Sequence, residues 1–391
     1  MTDTNTKPLD GVRILDFTQV MLGPCATQML ADFGADVIKI ERPGAGDLSR
    51  NFFGETSETA MNNAVFSSLN RNKRSIEVDT KSAAGKQLIY DMVKVSDVVV
   101  DNFRAGVMDR LGFGYEDLSK INPRIICASG TGFGEKGPYA HKGGQDVLAQ
   151  AMSGVMEKTS DPSIPQSIYP TTLCDYTAGM HLVQGVLAAL LMREKTGVGQ
   201  KVGVSLYDSM IAMQMQEAAQ WSKHREVLNW AAMPLTGVFD TTDGSLVLVG
   251  AFKANPLQDI CNALGIEDIS PQYPDLASQR RNKPFLQDLF RKHFATNTTA
   301  HWLARLEKQD LLCAPVRSLG EALDDPQTGI NDMLVDIEHP LLGTVTFVAS
   351  PVHLGAAPLE VRYTPPKLGE HTDEVLRELG LAPASKDKVA I

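Results

Sequence analysis

The chain has 391 residues, of which 43% are apolar and 21% are charged, and its formal net charge at pH 7 is -10. This length is too great for one compact core and suits two domains. The acidic balance argues against nonspecific nucleic-acid binding, which requires an excess of Lys and Arg. No run of about 18 apolar residues occurs, so we expect no membrane span.

The cysteines and histidines show no metal-site or disulfide pattern. The five cysteines are scattered without a CxxC pair, so neither a disulfide framework nor a thiolate zinc site is indicated. The eight histidines show neither HxxxH nor HExxH spacing, and we expect no bound metal. The N-terminal stretch MTDTNTKPLDG lacks the apolar core of a signal peptide. These features predict a cytoplasmic protein in a reducing compartment.

Strand and helix patterns alternate in the first half of the chain. Predicted strands are VRILDFT, DVIKIERP, DVVVDNF and RIICASGTGFG. Segments with helical spacing or helix-end signals lie between them: GPCATQMLADFGA, SAAGKQLIYDMVKVS and YEDLSKINP. Apolar, β-branched strands that alternate with helices predict an α/β fold with a Rossmann-like parallel sheet.

The second half begins with a long apolar helix pattern, which Asp175 precedes and which ends near Gly197. GQKVGVSL then alternates as a strand does, and YDSMIAMQMQEAAQWSKHR predicts one connecting helix. GVFDTTDGSLVLVG predicts a hairpin with Asp-Gly in its turn. We therefore predict a large domain, a linker helix and a small α+β domain, at 1–204 (rejoined by 316–391), 205–224 and 225–315 respectively.

Asp175 has two interpretations when it is taken alone. Asp is a favoured helix N-cap, and its charge suits the positive end of a helix dipole. On this feature alone, a cap is the more common role. A carboxylate that is held at a helix start is also available as a covalent nucleophile.

The segment GTGFGEKG contains a GxGxxG pattern at Gly132, Gly134 and Gly137, and it follows a predicted strand. A dinucleotide fingerprint requires a helix to begin at once. Here Pro138 and YAHKGG intervene, which favours a plain glycine-rich loop. A nicotinamide-dependent oxidoreductase is therefore the weakest of the functional alternatives.

Basic side chains collect near the ends of the predicted strands in this acidic chain. Any single one is typical of a solvated turn. As a group they fall where α/β sheets bind ligands, and the pattern suits a phosphate-bearing molecule. They are Arg42, Arg71, Lys73, Arg74, Lys81, Arg104 and Arg110.

Taken together and in order, several segments resemble class III CoA-transferases of the formyl-CoA and carnitine-CoA transferase type. The segments are PLDGVRILDFTQVMLGP, GADVIKIERPGAGD, NKRSIEVDTK, DNFRAGVMDRLGFGYEDLSKINPRIICASGTGFGEKGP, AQAMSG, DYTAGMHLVQGVLAAL and PPKLGEHTDEVLRELG. The resemblance covers nearly the whole chain. It implies an interlaced homodimer that moves CoA from an acyl-CoA to a small carboxylic acid, with CoA as a substrate and no permanently bound cofactor.

The resemblance also implies roles for individual residues. Asp175 is implied as the nucleophile. The implied CoA-binding residues are Gln19, Val20, Arg42, Val78, Lys81, Asn102, Phe103, Arg104, Arg110 and Lys142. The implied acyl or acid pocket includes Met21, Phe52 and Gln145.

Three departures from the family pattern bear on the substrate. Phe52 stands where formyl-CoA transferases tend to carry Trp, and Met21 stands where they carry Gln, so formyl-CoA and oxalate are doubtful as the native pair. Gln145 stands where acyl-CoA racemases carry His. Because an amide cannot shuttle a proton from carbon, the racemase remains only an alternative. The aromatic pair Phe52 and Phe53 leaves little room for a long chain, which favours a dicarboxylate over a fatty acid as acceptor.

Overall fold

The computed structural model describes residues 6–52, 54, 57–159 and 164–381. The described chain forms two compact units. The first comprises the residues up to Val155, Ile168–Met213 and those from Gly329 onward. The second comprises Met156–Ser167 and Gln214–Thr328.

The strands alternate with helices through most of the first unit, as the sequence predicts. The strands of both units, in chain order, are β1 (Arg13–Asp16), β2 (Asp36–Glu41), β3 (Lys73–Glu77), β4 (Val98–Asp101), β5 (Ile126–Thr131), β6 (Lys201–Ser205), β7 (Thr236–Asp240), β8 (Ser245–Val249), β9 (Leu312–Pro315), β10 (Leu334–His339) and β11 (Gly343–Val348).

The α-helices vary from single turns to 24 residues. In chain order they are α1 (Leu22–Asp32), α2 (Glu58–Met61), α3 (Ala64–Ser67), α4 (Ala83–Val93), α5 (Val107–Leu111), α6 (Tyr115–Ile121), α7 (Asp146–Met152), α8 (Leu173–Thr196), α9 (Leu206–Met213), α10 (Met215–His224), α11 (Pro256–Leu264), α12 (Leu276–Arg281), α13 (Lys283–Phe294), α14 (Thr299–Lys308), α15 (Leu319–Leu323), α16 (Pro326–Ile330) and α17 (Thr372–Glu378). Among the described helices, none is both long and apolar enough to cross a membrane.

A parallel sheet forms the centre of the first unit. Within the described ranges it has six strands in the order β3-β2-β1-β4-β5-β6, and each neighbouring pair is parallel. This is the strand order of a doubly wound, Rossmann-type sheet, in which the chain direction across the sheet reverses between β1 and β4. The predicted α/β fold is therefore confirmed, and ligands of such sheets bind at this reversal, outside the carboxyl ends of the strands.

Strands β1, β2 and β4 are buried on both faces, which explains the apolar runs in their sequences. Ile14 and Val98 belong to the core cluster that includes residues of α1 and α8. Their neighbours Leu15 and Val99 belong to the cluster that includes residues of α4 and α6. Because successive side chains of a strand point to opposite faces, the helices cover the sheet on both sides.

The second unit has its own antiparallel sheet, in the order β7-β8-β9. The predicted hairpin is confirmed: β7 pairs with β8, and the N–H of Thr241 donates to Gly244 O across the turn that contains Asp243. A separate apolar cluster, which includes Phe239 and Phe290, forms the core of this unit.

One prediction about a connection is wrong. The expected single helix at 205–224 is two helices, α9 and α10, because the backbone leaves helical geometry at Gln214 (φ -95°, ψ 29°). In the tail, β11 pairs with β10 in a separate two-stranded sheet. The domain limits taken from the sequence stay a prediction; in the compact units, 316–328 belong to the second.

Candidate active site

Two adjoining cavities lie at the carboxyl edge of the parallel sheet. The first, of about 600 Å³, we call the Asp175 cavity; its lining includes Gln19, Val20, Met21, Asn102, Arg104, Gln145 and Asp175. The second, of about 420 Å³, we call the Arg42 cavity; its lining includes Arg42, Val78 and Lys81. Gln19, Leu48 and Phe103 line both, so the two cavities share a wall.

Reciprocal hydrogen bonds connect the segments that follow β1 and β4. The N–H of Gln19 donates to Asn102 Oδ1 at 2.9 Å, and Asn102 Nδ2 donates to Gln19 O at 2.7 Å. A side-chain amide offers both a donor and an acceptor, so one residue satisfies both backbone groups. Asn102 thereby fixes the β1–α1 turn at the point where the sheet reverses.

Val20, in the β1–α1 turn, has a positive φ of 67°. This conformation is a strained one for a β-branched residue. The N–H of Val20 donates to Asp47 Oδ1 at 3.1 Å, and Asp47 Oδ2 forms a 2.8 Å ion pair with Lys39 Nζ. Both members of this ion pair are buried. The turn that lines the cavity is therefore held from beneath by a buried acid.

The same buried layer contains a second acid, Asp16, at the end of β1. Lys73 Nζ lies 3.1 Å from Asp16 Oδ2, and Lys39 Nζ donates to Thr18 O at 2.8 Å. Burial alone raises the pKa of Asp16, but Lys73 and Lys39 outweigh burial and hold that pKa at about 2. Asp16 therefore stays charged and accepts hydrogen bonds from the N–H and hydroxyl of Thr18.

Close packing of α8 on α1 brings Asp175 to the same edge. A Cβ on Gly179, one helical turn after Asp175, would lie only 2.9 Å from Leu22 O. Only glycine allows this approach, because any side chain would collide with the backbone of α1. The first turns of the two helices therefore meet beside the β1–α1 turn.

The interpretation of Asp175 as a helix cap is wrong. Helix α8 begins at Leu173, so Asp175 is its third residue, and the N-cap Thr172 makes no side-chain capping bond. Asp146 of α7 supplies the cap instead: its Oδ2 accepts the N–H groups of Cys174 and Asp175 at 2.7 and 3.0 Å. Within the described chain, the Asp175 carboxylate has neither a hydrogen bond nor an ion pair.

Burial and, to a smaller degree, the charge of Asp146 raise the pKa of Asp175 to about 6. The group is therefore still mainly ionised at neutral pH, but it is more basic than an ordinary carboxylate. A carboxylate that is ionised, unpaired and open to a cavity is suited to act as a nucleophile.

The glycine-rich loop after β5 serves packing rather than dinucleotide binding. A Cβ on Gly132 would lie 2.3 Å from the Cα of Gly144, so these two backbones touch. After β5, the next helix of the described chain begins only at Asp146. The helix that a nicotinamide fingerprint requires directly after its glycines is therefore absent from this part of the structure.

Three predicted site residues line neither cavity. Arg110 is exposed on α5, and Lys142 Nζ lies 4.4 Å from the centre of the Tyr139 ring. Phe52 is 59% exposed, and Phe53 lies outside the described residues. These four positions stay sequence predictions.

Sequence reasoning missed several residues of the site. Asp146 and Asp47 act through backbone N–H groups far away along the chain, and no local pattern predicts such partners. Leu148 and Leu206 line the Asp175 cavity but read as ordinary core positions. The Asp of GGQDVLAQ, at the start of a helical pattern, was the one signal available for Asp146.

Among residues 6–52, 54, 57–159 and 164–381, no group of three or more His, Cys, Asp or Glu side chains has the geometry to hold a metal ion.

Comparisons with known proteins agree on one family. A model of CoA-transferase family III matches residues 9–372. The chain is 34% identical to the succinyl-CoA:glutarate CoA-transferase of Mus musculus, over 95% of this chain and 86% of that one. It is 34% identical to the formyl-CoA:oxalate CoA-transferase of Escherichia coli O157:H7, over 98% and 97% of the two chains.

A solved structure shares the fold. The crystal structure of a CaiB/BaiF family protein from Brucella suis superposes with a TM-score of 0.84 and 29% sequence identity. The match covers 96% of this chain and all of that one.

The raised pKa of Asp175 predicts how an Asp175→Asn substitution changes stability with pH. Well below the ordinary pKa of 3.8 the carboxyl is protonated in both the folded and unfolded states, so wild type and variant should unfold alike. Above pH 6 the folded wild type carries a charge that burial disfavours. The variant should then be more stable by an amount on the order of 1–2 kcal/mol, after allowance for partial exposure.

Urea unfolding of both proteins at several pH values measures this difference. All other titrating groups are shared, so their contributions cancel. A variant that is less stable at neutral pH, or a difference that does not change with pH, would show that Asp175 has a supporting role in the fold.

Proposed function

The chain belongs to CoA-transferase family III, and from that premise we propose that it transfers CoA from an acyl-CoA thioester to a small dicarboxylic acid, with Asp175 as the covalent nucleophile. The observation that carries this proposal is the unpaired, mainly ionised Asp175 carboxylate in the cavity at the reversal of the sheet.

The chemistry of the transfer needs no redox step. The Asp175 carboxylate attacks the thioester carbonyl, the C–S bond breaks, and an acyl-aspartyl anhydride and CoA thiolate result. The thiolate then attacks the aspartyl carbonyl, which releases the donor acid as a carboxylate and leaves an aspartyl-CoA thioester. The acceptor carboxylate attacks the carbonyl of that thioester, the C–S bond breaks, and a second anhydride and free CoA thiolate result. The thiolate then attacks the acceptor's carbonyl in this anhydride, which expels the Asp175 carboxylate. The products are a new acyl-CoA and a regenerated Asp175.

Each attack passes through an oxyanion that must be stabilised. The first N–H groups of a helix have no partner within the helix. The first turn of α1 lines the Asp175 cavity at Met21 and Leu22. Its N–H groups, together with the positive end of the helix dipole, are therefore our candidates for the stabilising donors.

The Arg42 cavity suits the nucleotide end of CoA. Arg42 and Lys81 are exposed cations on its lining, whereas Val78 is buried and Phe103 is half-buried. Cations for phosphates beside an apolar wall for a base are the groups that a nucleotide requires. The wall shared through Gln19 and Phe103 gives the pantetheine arm a short path to Asp175.

The lining of the Asp175 cavity supports a dicarboxylate acceptor with a short hydrocarbon chain. Leu48, Leu148 and Leu206 provide apolar surface, and Arg104 provides a cation. In the described structure Arg104 has no carboxylate partner, so its guanidinium is available to a second carboxylate of the acid. Oxalate has no hydrocarbon to contact the leucines, whereas glutarate has three methylenes. The name of the mouse relative, a succinyl-CoA:glutarate CoA-transferase, agrees with this choice.

The racemase alternative is disfavoured by the residue at the cavity wall. Gln145 lines the Asp175 cavity, at the position where the racemases carry His. A neutral amide does not remove a proton from carbon. Proton exchange at the carbon next to the thioester therefore has no base at this position.

Exposed apolar side chains support the homodimer that the family resemblance implies. Leu191 and Met192 on α8 are 68% and 52% exposed, and Met215 and Trp221 on α10 are 70% and 50% exposed. Methionine and tryptophan are enriched where proteins bind one another. We propose a second copy of this chain as the partner.

A screen of substrate pairs tests the proposed function. Wild-type enzyme and the Asp175→Asn variant are incubated with formyl-CoA, succinyl-CoA or acetyl-CoA and with oxalate, succinate, glutarate or octanoate. Mass spectrometry then identifies the CoA products. We expect wild type to favour the longer dicarboxylates, and the variant to lose at least about 1000-fold because an amide cannot form the anhydride. Efficient transfer to octanoate but not to dicarboxylates contradicts the acceptor, and an active Asn variant contradicts the mechanism.

An Arg42→Ala substitution tests the nucleotide site. One charge-assisted phosphate contact is worth about 1.5–3 kcal/mol, so the KM for acyl-CoA should rise about 10- to 100-fold with kcat little changed. Arg124, which pairs with Glu194 on the surface and lines neither cavity, is the matched control. Equal KM values for Arg42→Ala, Arg124→Ala and wild type would show that Arg42 does not bind a phosphate of the acyl-CoA.

A further inference from the structure

We propose that Asp146 is a positioning residue for the transfer reaction: it caps α8 from the neighbouring helix α7 and thereby holds the backbone of Asp175 so that its carboxylate faces the cavity. The inference rests on the proposed role of Asp175. Asp146 itself is buried and is not part of the cavity lining, so it acts through Asp175 and not on the substrate.

One carboxylate oxygen of Asp146 is shared by two backbone N–H groups of α8. Asp146 Oδ2 accepts both the N–H of Cys174 and the N–H of Asp175. These are the second and third residues of α8, whose N–H groups have no partner within the helix. Their bonds to a charged acceptor are stronger than bonds to a neutral one. The backbone that carries the nucleophile is therefore attached to α7.

The second observation is that Asp146 is itself held in place. Gln150, one turn later on α7 and fully buried, donates from Nε2 to Asp146 Oδ1 at 2.6 Å. The Oε1 atom of Gln150 accepts the N–H of Tyr169 at 3.0 Å. The pair therefore fixes both the start of α8 and the segment that leads into it.

This arrangement has a direct chemical consequence for Asp175. An Asp in the first turn of a helix commonly accepts a backbone N–H itself, and a carboxylate bonded in this way is less basic and less free to attack. Since Asp146 accepts the hydrogen bonds of these N–H groups, the Asp175 side chain is not needed as their acceptor. The same carboxylate adds a nearby negative charge, which contributes, after burial, to the raised pKa of Asp175.

Three titratable neighbours of Asp175 ionise only above the acidic range. Burial raises the pKa of Cys25 on α1 to about 11 and that of Cys174 to about 12, and burial also raises the pKa of Tyr176. Arg104 lines the same cavity. An acidic limb in kcat therefore reports the Asp175 carboxyl, whose pKa burial and Asp146 raise to about 6.

The test compares the full-length wild type with Asp146→Asn and Asp146→Ala. Asn keeps an acceptor for the N–H groups and removes the charge, whereas Ala removes both. Activity is measured with succinyl-CoA and glutarate as a function of pH, and thermal unfolding reports the folded fraction. Asp275, which caps α12 in the second unit, gives the matched control variant Asp275→Asn.

We expect Asp146→Ala to lower kcat about 100-fold, since small misplacements of a reacting group have effects of this size, with the KM for succinyl-CoA within about threefold. Asp146→Asn should retain more activity than Ala, and its acidic limb should move to lower pH by roughly half a unit or more, because a like charge has been removed. The Asp275→Asn control should keep the wild-type limb. If the Asp146→Ala variant does not fold, the kcat of the Asp146→Asn variant and the acidic limb of its pH profile test the proposal.

Two results would overturn the inference in different ways. If the wild type is active and the folded Asp146→Asn variant has the same acidic limb and the same kcat, then Asp146 serves only the fold. A wild type that is inactive with every pair of the substrate screen contradicts the proposed function, and with it the premise of this inference.

Discussion

The buried ion pair between Lys39 and Asp47 supports the turn on which both cavities depend. Asp47 also binds the N–H of Val20, and it thereby holds a β-branched residue at a positive φ. Loss of one partner of such a pair leaves a buried charge alone and typically costs about 3–5 kcal/mol. The buried interactions at the sheet edge thus offset the strain of this turn, an arrangement that is common at functional sites. That turn carries Gln19, which lines both cavities.

Two separate contacts then determine the position of Asp175. Gly179 permits α8 to approach the backbone of α1 at Leu22, which sets the distance between the nucleophile and the turn. Asp146 binds the first N–H groups of α8, which sets the direction of the helix start. Among the residues that the structure describes, the carboxylate has no hydrogen bond, and its pKa is raised by burial and by Asp146. A half-buried charge of this kind weakens the fold, and its reactivity gives the reason to retain it.

Local patterns in the sequence predicted much of this architecture, and long-range contacts explain what they missed. The alternation of strands and helices depends on periodicity, and the end of α8 at Gly197 (φ 74°) depends on a residue that tolerates left-handed geometry. The cap on α8 could not be predicted in this way, because Asp146 precedes Asp175 by 29 residues. No proline or glycine lies at the break at Gln214, so the sequence there predicts an uninterrupted helix.

The most direct test of the account is to trap the covalent intermediate. Wild-type enzyme is incubated with an acyl-CoA that it uses, treated with hydroxylamine, digested and mapped by mass spectrometry. We expect a hydroxamate on Asp175, because hydroxylamine captures an aspartyl anhydride or thioester, and we expect no such product without acyl-CoA. A hydroxamate on another carboxylate, or none in an enzyme that still transfers CoA, would contradict the central claim.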